Sequence, residues 1–158
     1  MGIKDILTRK SSMFTTTSEY ALRALTVLAA VPRGTAMLGR DLSRRAGIPG
    51  SYLTKLMLAM RNAGLVGAAR GNTGGYWLIR SADAIHLIDV VQVFEGVQMR
   101  RRCFLWPDRE CSETQPCSAH SAWKSLRTEY LNFLERVTLA DISEKAPSSM
   151  ALEGSVQQ

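Results

Sequence analysis

Two short amphipathic segments meet across Gly47-Ile48-Pro49-Gly50, and this junction limits the fold more than any other part of the 158-residue chain. Before it, Leu38, Leu42 and Ala46 recur every four residues and Gly47 supplies a stop, the pattern of a short helix. After it, the sequence predicts a helix capped by Ser51 and running to about Ala63, where Gly64 closes it. Leu53, Leu56, Met57 and Met60 make its buried side, and Ser51, Tyr52, Thr54, Lys55 and Arg61 are placed on the opposite side. Two helices joined by a tight glycine turn, the second presenting polar and basic groups outward, form a helix-turn-helix.

The surrounding sequence extends that unit. Thr16-Thr17-Ser18-Glu19 reads as a capping box opening a helix from about Thr17 to Val31. Its core stripe is Tyr20, Ala21, Ala24, Leu25, Leu28 and Ala29, and Pro32-Arg33-Gly34 ends it. Leu65-Val66 and Tyr76-Trp77-Leu78-Ile79 read as strands flanking Arg70-Gly71-Asn72-Thr73-Gly74-Gly75, a glycine-rich tip suited to a hairpin. As a wing, this hairpin would carry Arg70 and Asn72 into a minor groove or onto phosphates. A further helix is expected from about Ile88 to Glu95, its start marked by Asp83.

The three cysteines of the chain fall with a histidine in eighteen residues, as Cys103-x7-Cys111-x5-Cys117-x2-His120. Thiolates and an imidazole are ligands of soft and borderline metals, and clustering on one loop closes the chelate rings at little entropic cost. From Ser118 a long helix is expected. Ala119, Leu126 and Phe133, and likewise Trp123, Tyr130 and Val137, repeat at heptad spacing, giving an apolar seam larger than a small winged core covers; a homodimer is its natural partner. The expected class is mainly α with a small β-hairpin wing, a winged helix-turn-helix plus a long dimerisation helix. Its divisions are an N-terminal extension (1–12), the DNA-binding domain (13–98), a metal-binding loop (99–117), the dimerisation helix with a short following segment (118–142) and a disordered tail (143–158).

The net charge of +6 is unevenly spread. From Arg33 to Arg80 there are eight Lys or Arg against the single acid Asp41, whereas from Cys103 onward there are five basic residues and eight acidic ones. One part is built to meet a polyanion, and double-stranded DNA is the expected partner. No stretch reaches the roughly 18 apolar residues of a membrane span, and the N-terminus lacks the pattern of a secretory signal. The expected location is the cytoplasm, where thiols remain reduced and open to metal. No phosphate loop or nucleophile-base pair is legible, and two histidines offer little acid–base capacity, so an enzyme is not expected.

Together Met13-Phe14-Thr15, Ser18 through Leu25, Ser51-Tyr52-Leu53, Gly64-Leu65-Val66, Arg70-Gly71 with Gly74-Gly75-Tyr76, and Cys117-x2-His120-x2-Trp123 resemble the iron–sulfur transcription regulators of the IscR, NsrR and RirA type. The resemblance covers about residues 13–142 and implies a homodimeric regulator of a palindromic operator, most simply a repressor, whose DNA affinity follows an iron–sulfur cluster sensing iron, redox state or nitric oxide. It further implies Cys103, Cys111 and Cys117 as cluster ligands. The fourth is His120, as in relatives with a 2Fe-2S cluster, or Glu19 of the partner subunit, as in relatives that favour 4Fe-4S; the 2Fe-2S form with His120 is preferred. Seven residues between the first two cysteines look more like the iron-responsive branch, and Thr54 stands where cluster-assembly regulators usually carry an acid. Two other readings remain open: a thiol-based regulator of the same fold without a cluster, and a zinc-binding RNA-binding protein of the CCCH type.

Overall fold

The computed structural model describes residues 13–71, 73–96, 102–106 and 108–143. Helix α1 (Thr16–Ala29) is the hub of the core, packed against most of the other helices and against the second strand of the hairpin. It buries Ala21, Ala24, Leu25 and Leu28 of the stripe that its three- and four-residue spacing predicts; Tyr20 and Ala29 of that stripe are half-buried, and Leu22, outside it, is buried as well. Its cap is Thr15 rather than Thr16: the Thr15 hydroxyl accepts from the Ser18 amide at 3.2 Å. The carboxylate that takes the amide of the cap is not Glu19 but Glu95, which accepts from the Thr15 N–H at 2.9 Å and from its hydroxyl at 3.1 Å. The start of α1 is therefore tied to an element 80 residues away.

Helices α2 (Gly39–Ala46) and α3 (Gly50–Asn62) form the expected pair, joined by a tight turn at Gly47. Gly47 takes the left-handed conformation at φ +63°, which ends α2 and lets the Ile48 amide return to the Ser43 carbonyl at 3.0 Å. Ile48 is thereby turned into the core, where it joins Leu42, Leu53, Met57 and Met60. Helix α3 begins two residues earlier than expected, with Pro49 in place of Ser51 at the cap position and no side-chain cap; Ser51 lies inside its first turn.

Strands β1 (Val66–Ala69) and β2 (Gly75–Leu78) make an antiparallel hairpin with Val66 opposite Leu78 and Ala69 opposite Gly75. Leu65 lies just outside the ladder, its carbonyl accepting from the Ile79 amide at 3.1 Å. The hairpin is anchored to the segment entering α2: Met37 and Tyr76 exchange two backbone hydrogen bonds, both 2.9 Å. That close approach demands a glycine next door. Gly75 has φ +140°, and a Cβ on it would stand 2.3 Å from the Met37 carbonyl oxygen.

Asp83 does not open the next helix; it sits in a 3-10 turn (Ala82–Ala84). Helix α4 (Leu87–Glu95) starts instead from a capping box in which Asp89 accepts from the His86 amide at 3.2 Å. Helix α5 (His120–Arg136) is followed by α6 (Leu139–Ser143), and the chain between them is stitched back onto the domain. The Leu87 amide donates to the Val137 carbonyl at 2.9 Å and the Leu139 amide to that of Ile85 at 2.8 Å.

The heptad seam of α5 divides. Trp123, Tyr130 and Val137 are half-buried against the chain itself, beside the buried Leu134 that lies outside the seam, whereas Leu126 is 62% exposed and Phe133 38%. The expected N-terminal extension and tail lie outside the described residues, except that Ser143 closes α6. Among the described residues no helix is long and apolar enough to cross a membrane.

Candidate functional site

The outward face of α3 carries Ser51, Thr54, Lys55 and Arg61, all exposed, and Arg70 is exposed at the start of the hairpin tip. Thr54, Arg61 and Arg70 border a cleft of about 430 Å³ between α3 and the hairpin. Asn72 lies outside the described residues.

Tyr52 departs from the outward set. It is half-buried, its ring packs edge-on against Tyr20 with centroids 5.5 Å apart, and its hydroxyl meets that of Thr17 at 2.7 Å. A phenol on the shoulder of the core buries its ring and keeps its polar tip satisfied, so Tyr52 seats α3 against α1. Leu58, which no polar or basic pattern in the sequence singles out, is half exposed in the middle of the polar face and also lines the cleft.

The cysteine loop is organised by backbone pairing and by Trp123. Arg102 pairs with Glu110, the Cys103 amide donates to the Arg109 carbonyl at 3.0 Å, and the Arg109 amide donates to that of Trp106 at 2.9 Å. Trp123 reaches back from α5, its indole N–H donating to the Arg102 carbonyl at 2.9 Å and its ring lying 5.5 Å from that of Phe104. An ion pair between Lys124 and Glu113 fastens the far side of the loop to the same helix.

This scaffold brings the four sequence-selected donors to one cavity of about 220 Å³. They stand as two pairs: the sulfurs of Cys103 and Cys117 are 3.5 Å apart, and the Cys111 sulfur is 3.2 Å from His120 Nδ1. Among the described residues no three His, Cys, Asp or Glu side chains converge on a position for a single ion. Glu19 is in the first turn of α1, outside the described lining of this cavity.

The paired thiols are electrostatically unequal. Hydrogen bonding from the Trp106 backbone, with smaller help from the Leu105 backbone, Cys117 and Arg109, outweighs desolvation and draws the Cys103 thiol below its ordinary range. Cys117 is pushed up, first by its hydrogen bond with Cys103 and then by burial. Cys103 is the readier thiolate of the two, and thiolates are what metals and oxidants meet.

A family described as "Rrf2: Iron-dependent Transcriptional regulator" matches residues 14–145. The chain belongs to the Rrf2 family. It is similar to the HTH-type transcriptional regulator IscR of Yersinia enterocolitica, 31% identical over 128 residues, which cover 81% of this chain and 77% of that one. Among solved structures it is similar to T. potens IscR, with a TM-score of 0.69 and 25% identity over 91% of this chain and 95% of the other. It is also similar to CymR, the global cysteine regulator of B. subtilis, with a TM-score of 0.71 and 26% identity over 86% of this chain and 99% of the other. The protein is thus an Rrf2-type winged-helix transcription regulator, and the α2–α3 pair with its hairpin is the helix-turn-helix and wing of that family.

Proposed function

We propose that this Rrf2 regulator acts as a homodimer that holds a palindromic operator and represses from it, with an iron–sulfur cluster on Cys103, Cys111, Cys117 and His120 setting its affinity. The observation that carries the reading is the pairing of those donors around one cavity. A two-iron cluster takes two protein ligands at each iron, so two close pairs suit a 2Fe-2S centre with one imidazole. A mononuclear zinc finger of the CCCH type requires all four on one ion, which this arrangement does not favour. When bound, such a cluster supplies reversible one-electron chemistry and sensitivity to iron supply. Anaerobic purification with iron and sulfide assays tests the reading: about two irons and two sulfides per chain support it, and iron-free protein retaining full operator affinity overturns it.

On the DNA side, Ser51, Thr54, Lys55 and Arg61 are assigned to the major groove and Arg70 to the flanking minor groove or phosphates. The chain's own residues provide a route between the sites. Glu95, at the end of α4 before the cysteine loop, grips Thr15 at the start of α1, and two residues on Thr17 grips Tyr52 of α3. A shift of the loop that moves Glu95 therefore reaches the DNA-reading helix through the start of α1 and these side-chain hydrogen bonds. A hundred-fold change in affinity requires a difference of only about 2.7 kcal/mol between the two states.

A thiol switch is the second reading, favoured by the 3.5 Å separation of Cys103 and Cys117 and by the readiness of Cys103 to ionise. It predicts colourless protein whose operator affinity changes on oxidation and recovers with a dithiol.

A further inference from the structure

The polar face of α3 has one large apolar side chain that the core does not explain. Leu58 is 50% exposed, although the side chains around it on that face, Ser51, Thr54, Lys55 and Arg61, are polar or basic. A single exposed leucine is ordinary on a protein surface, but the position of this one is not arbitrary. It is one helical turn beyond Thr54, and the two share the cleft bordered by Arg61 on the helix and Arg70 on the hairpin. The Thr54 hydroxyl donates to the Gly50 carbonyl at 3.0 Å, so its proton is committed within the helix. What Thr54 adds to the face is a methyl group and a lone pair. The two residues make a short apolar strip framed by cations.

Charge complementarity decides the occupant. Two exposed guanidinium groups on opposite walls of a cleft suit the phosphate chain of a nucleic acid passing between helix and wing. The apolar feature that duplex DNA offers in the major groove is the C5 methyl of thymine, which lies on the groove wall beside the phosphates of its own strand. An apolar strip between two phosphate-binding arginines is the complement of that arrangement. We propose that Leu58, with the methyl of Thr54, reads a thymine methyl in each operator half-site, making Leu58 a sequence-specificity residue of α3.

This inference rests on the DNA-binding reading above, and its test separates the two. The full-length protein, with whatever centre it carries, is first used to select a preferred duplex from random sequence. Each thymine of that duplex is then replaced singly by deoxyuridine, which pairs identically and lacks only the methyl. Loss of one buried methyl is expected to weaken wild-type binding about 4-fold at one thymine per half-site. Leu58→Ala is expected to bind the thymine duplex more weakly and to bind thymine and uracil duplexes equally. Because Leu58 is half exposed and alanine favours helix, the variant retains its fold, which its thermal unfolding curve checks. Uniform indifference to uracil in the wild type, or discrimination undiminished in Leu58→Ala, overturns the inference while leaving DNA binding intact. A Leu58→Ala variant that changes oligomeric state rather than operator preference overturns it as well. Failure to select any duplex overturns the DNA-binding reading itself.

Discussion

Gly75→Ala is the most informative single change in the winged domain, because its cost follows from atoms that cannot rotate away. The added Cβ would sit 2.3 Å from the Met37 carbonyl oxygen, 2.5 Å from the Met37 carbonyl carbon and 3.0 Å from the Leu38 nitrogen, all backbone. Restoring an ordinary contact moves β2 back by about 1 Å, which breaks both 2.9 Å hydrogen bonds between Met37 and Tyr76. Two such bonds are worth about 1 kcal/mol each. Holding alanine at φ +140° adds about 1–3 kcal/mol. The expected loss is therefore roughly 3–5 kcal/mol, a large part of a small domain's stability. Gly71→Ala is the matched control: it also has positive φ, +101°, but nothing lies within 4 Å of its Cβ, so only the conformational strain of about 1–3 kcal/mol remains. Urea unfolding of both variants measures the difference, with metal content held equal. Equal destabilisation would refute the argument that the wing is bolted to the α2 entry through residue 37.

Other changes probe the remaining joints. Tyr52→Phe removes the 2.7 Å contact with Thr17 and is expected to cost about 0.5–1.5 kcal/mol in urea unfolding while narrowing the difference in operator affinity between the two states of the cysteine site. Burial, with a smaller contribution from Glu95, raises the Tyr130 hydroxyl to about 12, above its ordinary value near 10. The folded state thus holds this proton more tightly than the unfolded chain. The associated stability is complete below about pH 10 and is lost as pH rises toward 12, so Tyr130→Phe should flatten unfolding curves across that window. Leu126→Glu places a charge on the exposed seam of α5 and is expected to shift sedimentation from dimer to monomer; an unchanged profile assigns dimerisation elsewhere.

Much of this arrangement was legible in the residues. The four-residue spacing around Gly47, the glycine-rich tip and the stripe of α1 are local signals, and local geometry obeyed them. The errors arose where a distant partner outbid a nearby one. Thr16 and Glu19 spell a capping box, but Glu95, arriving from α4, holds Thr15 instead. Tyr52 falls on the polar arc of a helical wheel, yet a phenol at the edge of that arc gains more by packing on Tyr20. Helix α6 was missed although Thr138 and Asp141 carry a capping signature, in which the Thr138 amide donates to Asp141 at 2.8 Å. Its five residues are held by the burial of Leu139, a tertiary effect that periodicity over so short a run does not register. The donor set of the cysteine loop was readable from residue type alone; its division into two pairs depends on how Trp123 and the backbone bridge at Arg102 fold the loop.

The most direct test of the account is a single anaerobic operator titration, performed on one preparation before and after a chelator removes its iron. A cluster-controlled regulator loses its colour on chelation and changes its affinity by about ten-fold or more, a difference of about 1.4 kcal/mol, and the change is abolished when Cys111 is replaced by serine. Superimposable curves from coloured and stripped protein would contradict it.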